Sequence, residues 1–97
     1  MDFLKKYDIS DDDINIIKNN NYESILSVVI YNKNNVCEVI DYLLSIGIEV
    51  PALSQMLSDR LDLFLKPVDI IRDGFEKFNV SNLVTIINDD ICNLKFI

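Results

Sequence analysis

Apolar residues recur at three- and four-residue spacing along most of this chain, which is the period of helices that each bury one face. The clearest segment spans positions 36–65. Val36, Val39, Ile40, Leu43 and Leu44 keep helical register, Gly47 follows as a stop, Pro51 opens a second helix, and Leu53, Met56, Leu57 and Leu61 continue the apolar face. A glycine after the last periodic residue is free to adopt the left-handed C′ conformation, which places Ile48 where a Schellman motif packs it against Leu43. Asp62-Leu-Phe-Leu65 is too short for a full helix and too apolar for an exposed loop. It predicts a buried turn of tighter helix.

The flanks read the same way. Asp2–Tyr7 predicts one or two helical turns, and Ser10 is a natural N-cap for a helix to about Asn19 with Ile14 and Ile17 inward. Asn19-Asn-Asn21 breaks the pattern, and Tyr22, Ile25, Leu26 and Val29 share the face of a helix over about 22–31. Val28, Val29 and Ile30 are β-branched and suit a strand almost as well, but the helical spacing is followed here. Asn32–Asn35 reads as a polar turn, with Asn35 and Glu38 as a capping-box variant that starts a 36–46 helix. Pro67 opens a helix to about Phe78 with Val68, Ile71, Phe75 and Phe78 inward, and Ser81 caps a helix carrying Leu83, Ile86 and Ile87. Asn88-Asp-Asp90 then caps a last turn with Ile91, Cys92 and Leu94, and the Phe96-Ile97 pair either docks back on the core or serves as an end that a partner uses.

One punctuation recurs: Tyr7-Asp8-Ile9, Ile46-Gly47-Ile48 and Phe78-Asn79-Val80, 39 and then 32 residues apart. Each triplet ends one predicted helix and precedes another, with a residue tolerant of the left-handed conformation between two large apolar ones. These spacings are those of stacked helix pairs. The expected fold is therefore a single all-α domain, residues 1–97, of six or seven short helices in two to three stacked, solenoid-like units. Leu43-Leu-Ser-Ile-Gly-Ile48, a short helix, and Arg60-Leu-Asp-Leu-Phe-Leu65 resemble the repeat of the mitochondrial transcription termination factor family, two helices and a short tighter helix wound into a superhelix. The resemblance covers residues 36–75 and implies nucleic-acid binding. The chain departs from it at Leu61, where that repeat carries a proline, and in lacking the basic residues its nucleic-acid binders present.

Charge sharpens the contrast. Sixteen acidic residues against nine basic ones give a net charge of −7, and the basic residues form no run. Nucleic acid is bound by clustered Lys and Arg that neutralise phosphates, so direct nucleic-acid binding is not expected, and an anionic membrane surface is disfavoured too. No charged leader with an apolar core and no apolar run of about 20 residues is present, and a cytoplasmic protein, or one made for a host's cytoplasm, is expected. Cys37 and Cys92 lie far apart among apolar neighbours, as buried free thiols do.

Catalytic chemistry finds little support. With no histidine, Ser-His-Asp and Cys-His pairs and His-ligated metals are excluded, and two glycines cannot build a phosphate loop. Asp11, Asp13 and Asn15 fit calcium-loop positions one, three and five, but Ile16 stands at the glycine position and Tyr22 at that of the bidentate carboxylate. Glu38 with Asp41, and Asp69 with Asp73, read as solvated helix faces. No enzyme, cofactor or metal is expected. What the pattern suggests is an acidic surface that meets a basic protein, through Asp8, Asp11, Asp12, Asp13, Glu38 and Asp41. A small phage-type inhibitor or regulator occupying the basic groove of a nucleic-acid enzyme, such as a defence nuclease, is its most concrete form. The alternatives are a nucleic-acid-binding repeat protein and a self-associating structural domain that pairs through Phe96-Ile97.

Overall fold

The computed structural model describes residues 1–89, and every regular element in them is helical. A 3-10 helix, η1 (Asp2–Tyr7), is followed by α1 (Asp11–Asn20), α2 (Glu23–Tyr31), α3 (Lys33–Ser45) and α4 (Val50–Asp59). A second 3-10 helix, η2 (Leu61–Leu65), then leads to α5 (Val68–Glu76) and α6 (Val80–Asp89). The tight turn at Leu61–Leu65 buries Leu61, Leu63 and Phe64, as its apolar composition requires. The expectations for Asp90, Ile91, Cys92, Leu94, Phe96 and Ile97 lie outside the described residues.

The three punctuated joints connect three helix pairs: η1 with α1, α3 with α4, and α5 with α6. α1, α4 and α6 form one row with α4 in the middle, and α3 rests on α5 in a second row. Tyr7, at the end of η1, lies beside Cys37 and Asp41 of α3 and so extends the second row. α2 packs on α3, and η2 lies against both α3 and α4. The radius of gyration is 12.5 Å, that of an ordinary folded domain of this length. One continuous core runs through the stack, from Leu4 and Ile17 through Ile40, Leu53 and Phe64 to Phe75 and Ile87.

The joints differ in how they are made. After α3, the Gly47 amide donates to the Leu44 carbonyl at 3.2 Å and the Ile48 amide to the Leu43 carbonyl at 3.1 Å, a complete Schellman motif. Gly47 has φ 108°, and a Cβ there would meet Val84 Cγ1 at 3.4 Å. Asp8 also takes the left-handed conformation, φ 64°, and Ile9 and Ile48 are both buried beyond their joints. Asn79 does not: its side chain accepts the Asn82 amide at 3.1 Å and caps α6. Asn79, and not Ser81, is therefore the cap, because an N-cap must stand just outside the first helical residue, here Val80.

Other departures share one cause, the exact placement of helix ends. α3 starts at Lys33, so the expected turn shrinks to Asn32, which ends α2 and begins α3. Asn35 then lies within the first turn of α3 and forms no capping box; its amide donates to the carbonyls of Phe64 at 3.1 Å and Lys66 at 2.9 Å. Tyr22 is the extended residue before α2, so its side chain is 81% exposed instead of sharing the inner face. Phe78 lies past the end of α5 and is half-exposed. α6 turns Leu83, Val84 and Ile87 inward, which leaves Ile86 at the border of that face, also half-exposed.

The Asn35 clamp predicts a measurable cost. Asn35→Ala removes two hydrogen bonds between α3 and the η2 segment and should destabilise the chain by about 1–3 kcal/mol. In urea unfolding the midpoint should fall with the slope unchanged, whereas Asn34→Ala, at an exposed neighbour, should stay within about 0.5 kcal/mol of the parent.

Candidate functional site

The six candidate acidic residues occupy three neighbourhoods. Asp8, Asp11 and Asp12 are exposed around the start of α1, whose first turn is held by the Ser10 hydroxyl accepting the Asp13 amide at 3.1 Å. That cap, with three carboxylates at the positive end of the helix dipole, explains why the segment is ordered despite its charge. Lys5 reaches Asp11 at 3.2 Å, and this partner, with Asp2 adding, holds the lysine above its usual range. Both groups are well exposed, so the pair contributes little to stability.

Glu38 and Asp41 lie on the exposed side of α3 and share a shallow hollow with Tyr42, Ser45, Val68 and Arg72. Arg72 pairs with Asp69 at 3.0 Å and stacks over the Tyr42 ring at 5.5 Å, so the hollow contains its own cation. Tyr42 also meets Phe75 edge to face, with centroids 6.1 Å apart. Burial raises the Tyr42 phenol, the nearby Glu76 charge adds to this, and Arg72 opposes it.

Asp13 stands apart from Asp11 and Asp12. It is partly buried and borders a groove between α1 and α4 lined by Ile16, Pro51, Ser54, Gln55 and Ser58. The groove is anchored at its far end by asparagines. The Asn20 amide donates to the Ser58 hydroxyl, and the Asn21 amide donates to the Ser58 carbonyl at 3.2 Å and to the Ile17 carbonyl at 2.8 Å. Periodicity alone did not single out this groove. The available signal was Ser54 and Ser58, four residues apart on one side of an otherwise apolar helix.

Among the described residues, no group of three or more Cys, Asp or Glu side chains is arranged to hold a metal ion, and no helix is long and apolar enough to cross a membrane. The fold and surface together define a small all-α acidic protein built from stacked helix pairs. No family model, curated protein or solved structure matches the chain.

Tyr7 links the first and second neighbourhoods. Its hydroxyl is buried with no hydrogen-bond partner among the described residues, although Cys37 and Asp41 are close. Burial pushes its phenol well above the usual range, and the two neighbouring groups add to the shift. Below the ordinary tyrosine value of 10.0 the hydroxyl is neutral in folded and unfolded chains alike. Above it the unfolded chain ionises first, so stability falls as pH rises. Tyr7→Phe removes the orphaned hydroxyl and should leave the chain unchanged or up to about 1 kcal/mol more stable near neutrality. Thermal melts at stepped pH should show a shallower loss for the variant than for the parent above pH 10.

Proposed function

We propose that this chain is a non-catalytic protein–protein interaction module that occupies the basic surface of a partner and acts as its inhibitor or regulator. The observation that carries the reading is the state of the carboxylates. Of Asp8, Asp11, Asp12, Asp13, Glu38 and Asp41, Asp11 is the one with an ion pair among the described residues. The others have no ion pair among the described residues: Asp8 stands at the first joint, Asp12 and Asp13 on the capped first turn of α1, and Glu38 and Asp41 on α3. Such a surface attracts a basic partner at long range and loses that attraction as salt rises. A groove evolved to hold nucleic acid offers a matching field, which makes a nucleic-acid enzyme the partner class this reading favours. A phage-type inhibitor of a defence nuclease is its concrete form.

Immobilised protein should capture a basic nucleic-acid enzyme from lysate, with the complex surviving nuclease treatment. The combined variant Asp11→Lys, Asp12→Lys and Asp13→Lys should lose that capture. Reversal also opposes the helix dipole, at about 0.3–1 kcal/mol per residue, so the three Asp→Asn changes serve as the control: weaker capture with a nearly unchanged melt. Capture indifferent to reversal, or capture only while nucleic acid is intact, would overturn the reading, and the second result would favour a nucleic-acid-binding repeat protein.

A further inference from the structure

Exposed apolar surface is gathered at one helix. Among the described residues, eight large apolar or tyrosine side chains are exposed, and four of them, Tyr22, Val28, Ile30 and Tyr31, fall within residues 22–31. Tyr31 is 90% exposed. Six of the nine residues of α2 are apolar or tyrosine and are spread round the helix, yet α2 fully buries Val29 alone, whereas α4, one residue longer, buries six side chains. A helix that is apolar all round is ordinarily covered all round. Ile25, Leu26 and Val29 turn toward the core. That leaves Ser24, Ser27, Val28 and Tyr31, at the spacing of a single helix face, exposed on the outer side.

The charges around this face say what covers it. Between Lys18 and Lys33 the single charged residue is Glu23, so two chains of net charge −7 can meet here with little repulsion. The two ends of the helix are opposite in sign. Glu23 opens α2, Lys33 follows Asn32 just past its end, both are exposed, and neither has an ion pair among the described residues. The polar groups of the face are already matched within the chain: the Ser27 hydroxyl donates to the Glu23 carbonyl at 3.1 Å, and the Asn32 side-chain amide to the Val28 carbonyl at 2.9 Å. Covering the face therefore strands neither of them.

From these features we infer that the outer face of α2 is a homodimer interface, on which α2 of a second copy of this chain packs antiparallel across a two-fold axis between Ser27 and Val28. Such an interface uses the same patch twice and must be complementary to itself. Here the large Tyr31 of each copy lies over the small Ser24 of the other, Ser27 meets Val28, and each Glu23 comes beside the other copy's Lys33. A pair of short helices buries less than the roughly 1,600 Å² of a standard interface, so the association is weak, with a Kd on the order of 100 μM. None of the six candidate carboxylates lies on α2. The inference is therefore independent of the proposed function.

The test is sedimentation equilibrium of the full chain from micromolar to millimolar concentration, which should show a reversible monomer–dimer equilibrium. Val28→Glu sets two carboxylates against each other at the axis and should leave a monomer at every concentration, with the helical circular dichroism unchanged because Val28 is half-exposed. Ile70→Glu, which places the same charge at an exposed isoleucine of α5, should change the dimer constant less than twofold. Glu23→Lys and Lys33→Glu should each weaken the dimer at least threefold, and the two together should restore it to within twofold of the parent. Net charge alone would move the two single variants in opposite directions, so weakening by both, with rescue, is specific to the antiparallel pairing. A monomer up to millimolar concentration would overturn the inference. So would a dimer that Val28→Glu leaves within twofold of the parent, and its loss on deleting Phe96 and Ile97 would then assign pairing to that end. Capture of a basic partner is read separately, since these variants leave all six candidate carboxylates in place.

Discussion

Short helices create a backbone problem that asparagine side chains solve here. Each helix end leaves amides or carbonyls without an intrahelical partner, and a stack of short helices multiplies such ends. Asn88 of α6 reaches back to the α3–α4 joint, donating to the Gly47 carbonyl at 3.0 Å and accepting the Glu49 amide at 2.9 Å. Asn35 holds the Phe64 and Lys66 carbonyls on either side of the turn that leaves η2. Asn21 holds the Ser58 carbonyl near the end of α4. Each clamp joins elements that are distant in sequence and sits where a helix stops. The apolar rows hold the helices against one another, and the clamps satisfy backbone groups at the α3–α4 joint and at the ends of α4 and η2.

The clamps also bear on the surface. The joints are satisfied without carboxylates, and among the described residues three ion pairs form, all at the surface. The remaining negative charge faces solvent from well-fixed elements. This is the physical basis for reading the molecule as a partner for basic surfaces, since a pre-ordered charge pattern loses less entropy on binding than a mobile one. The α1–α4 groove adds shape to that charge, with Asp13 in its lining.

Local features were legible in the sequence and long-range ones were not. Helical spacing, the Ser10 cap, the Gly47 stop and the tight apolar turn at Leu61–Leu65 depend on neighbours within one or two turns, and all four are present as expected. The joints at Asp8 and Gly47 are left-handed as their residue types suggested, whereas Asn79 uses the other talent of asparagine, capping through its side chain. Asn35 departs from its local signal for a similar reason. Locally it resembles a cap; its real partners lie 29 and 31 residues away. The exposure of Asp8, Asp11, Asp12, Glu38 and Asp41 followed from helix registers, but the separation of Asp13 into a groove of its own depends on how α1 meets α4, which periodicity does not encode.

The most direct test of this account is amide hydrogen exchange at Glu49, whose N–H stands at the start of α4, donates to Asn88, and as an N-cap amide has no partner within its own helix. In the parent chain this amide should exchange slowly, and Asn88→Ala should raise its rate at least tenfold while Leu53, whose amide donates to the Glu49 carbonyl, stays protected. An unchanged Glu49 rate in the variant would contradict the claim that asparagine side chains hold the joints of the stack.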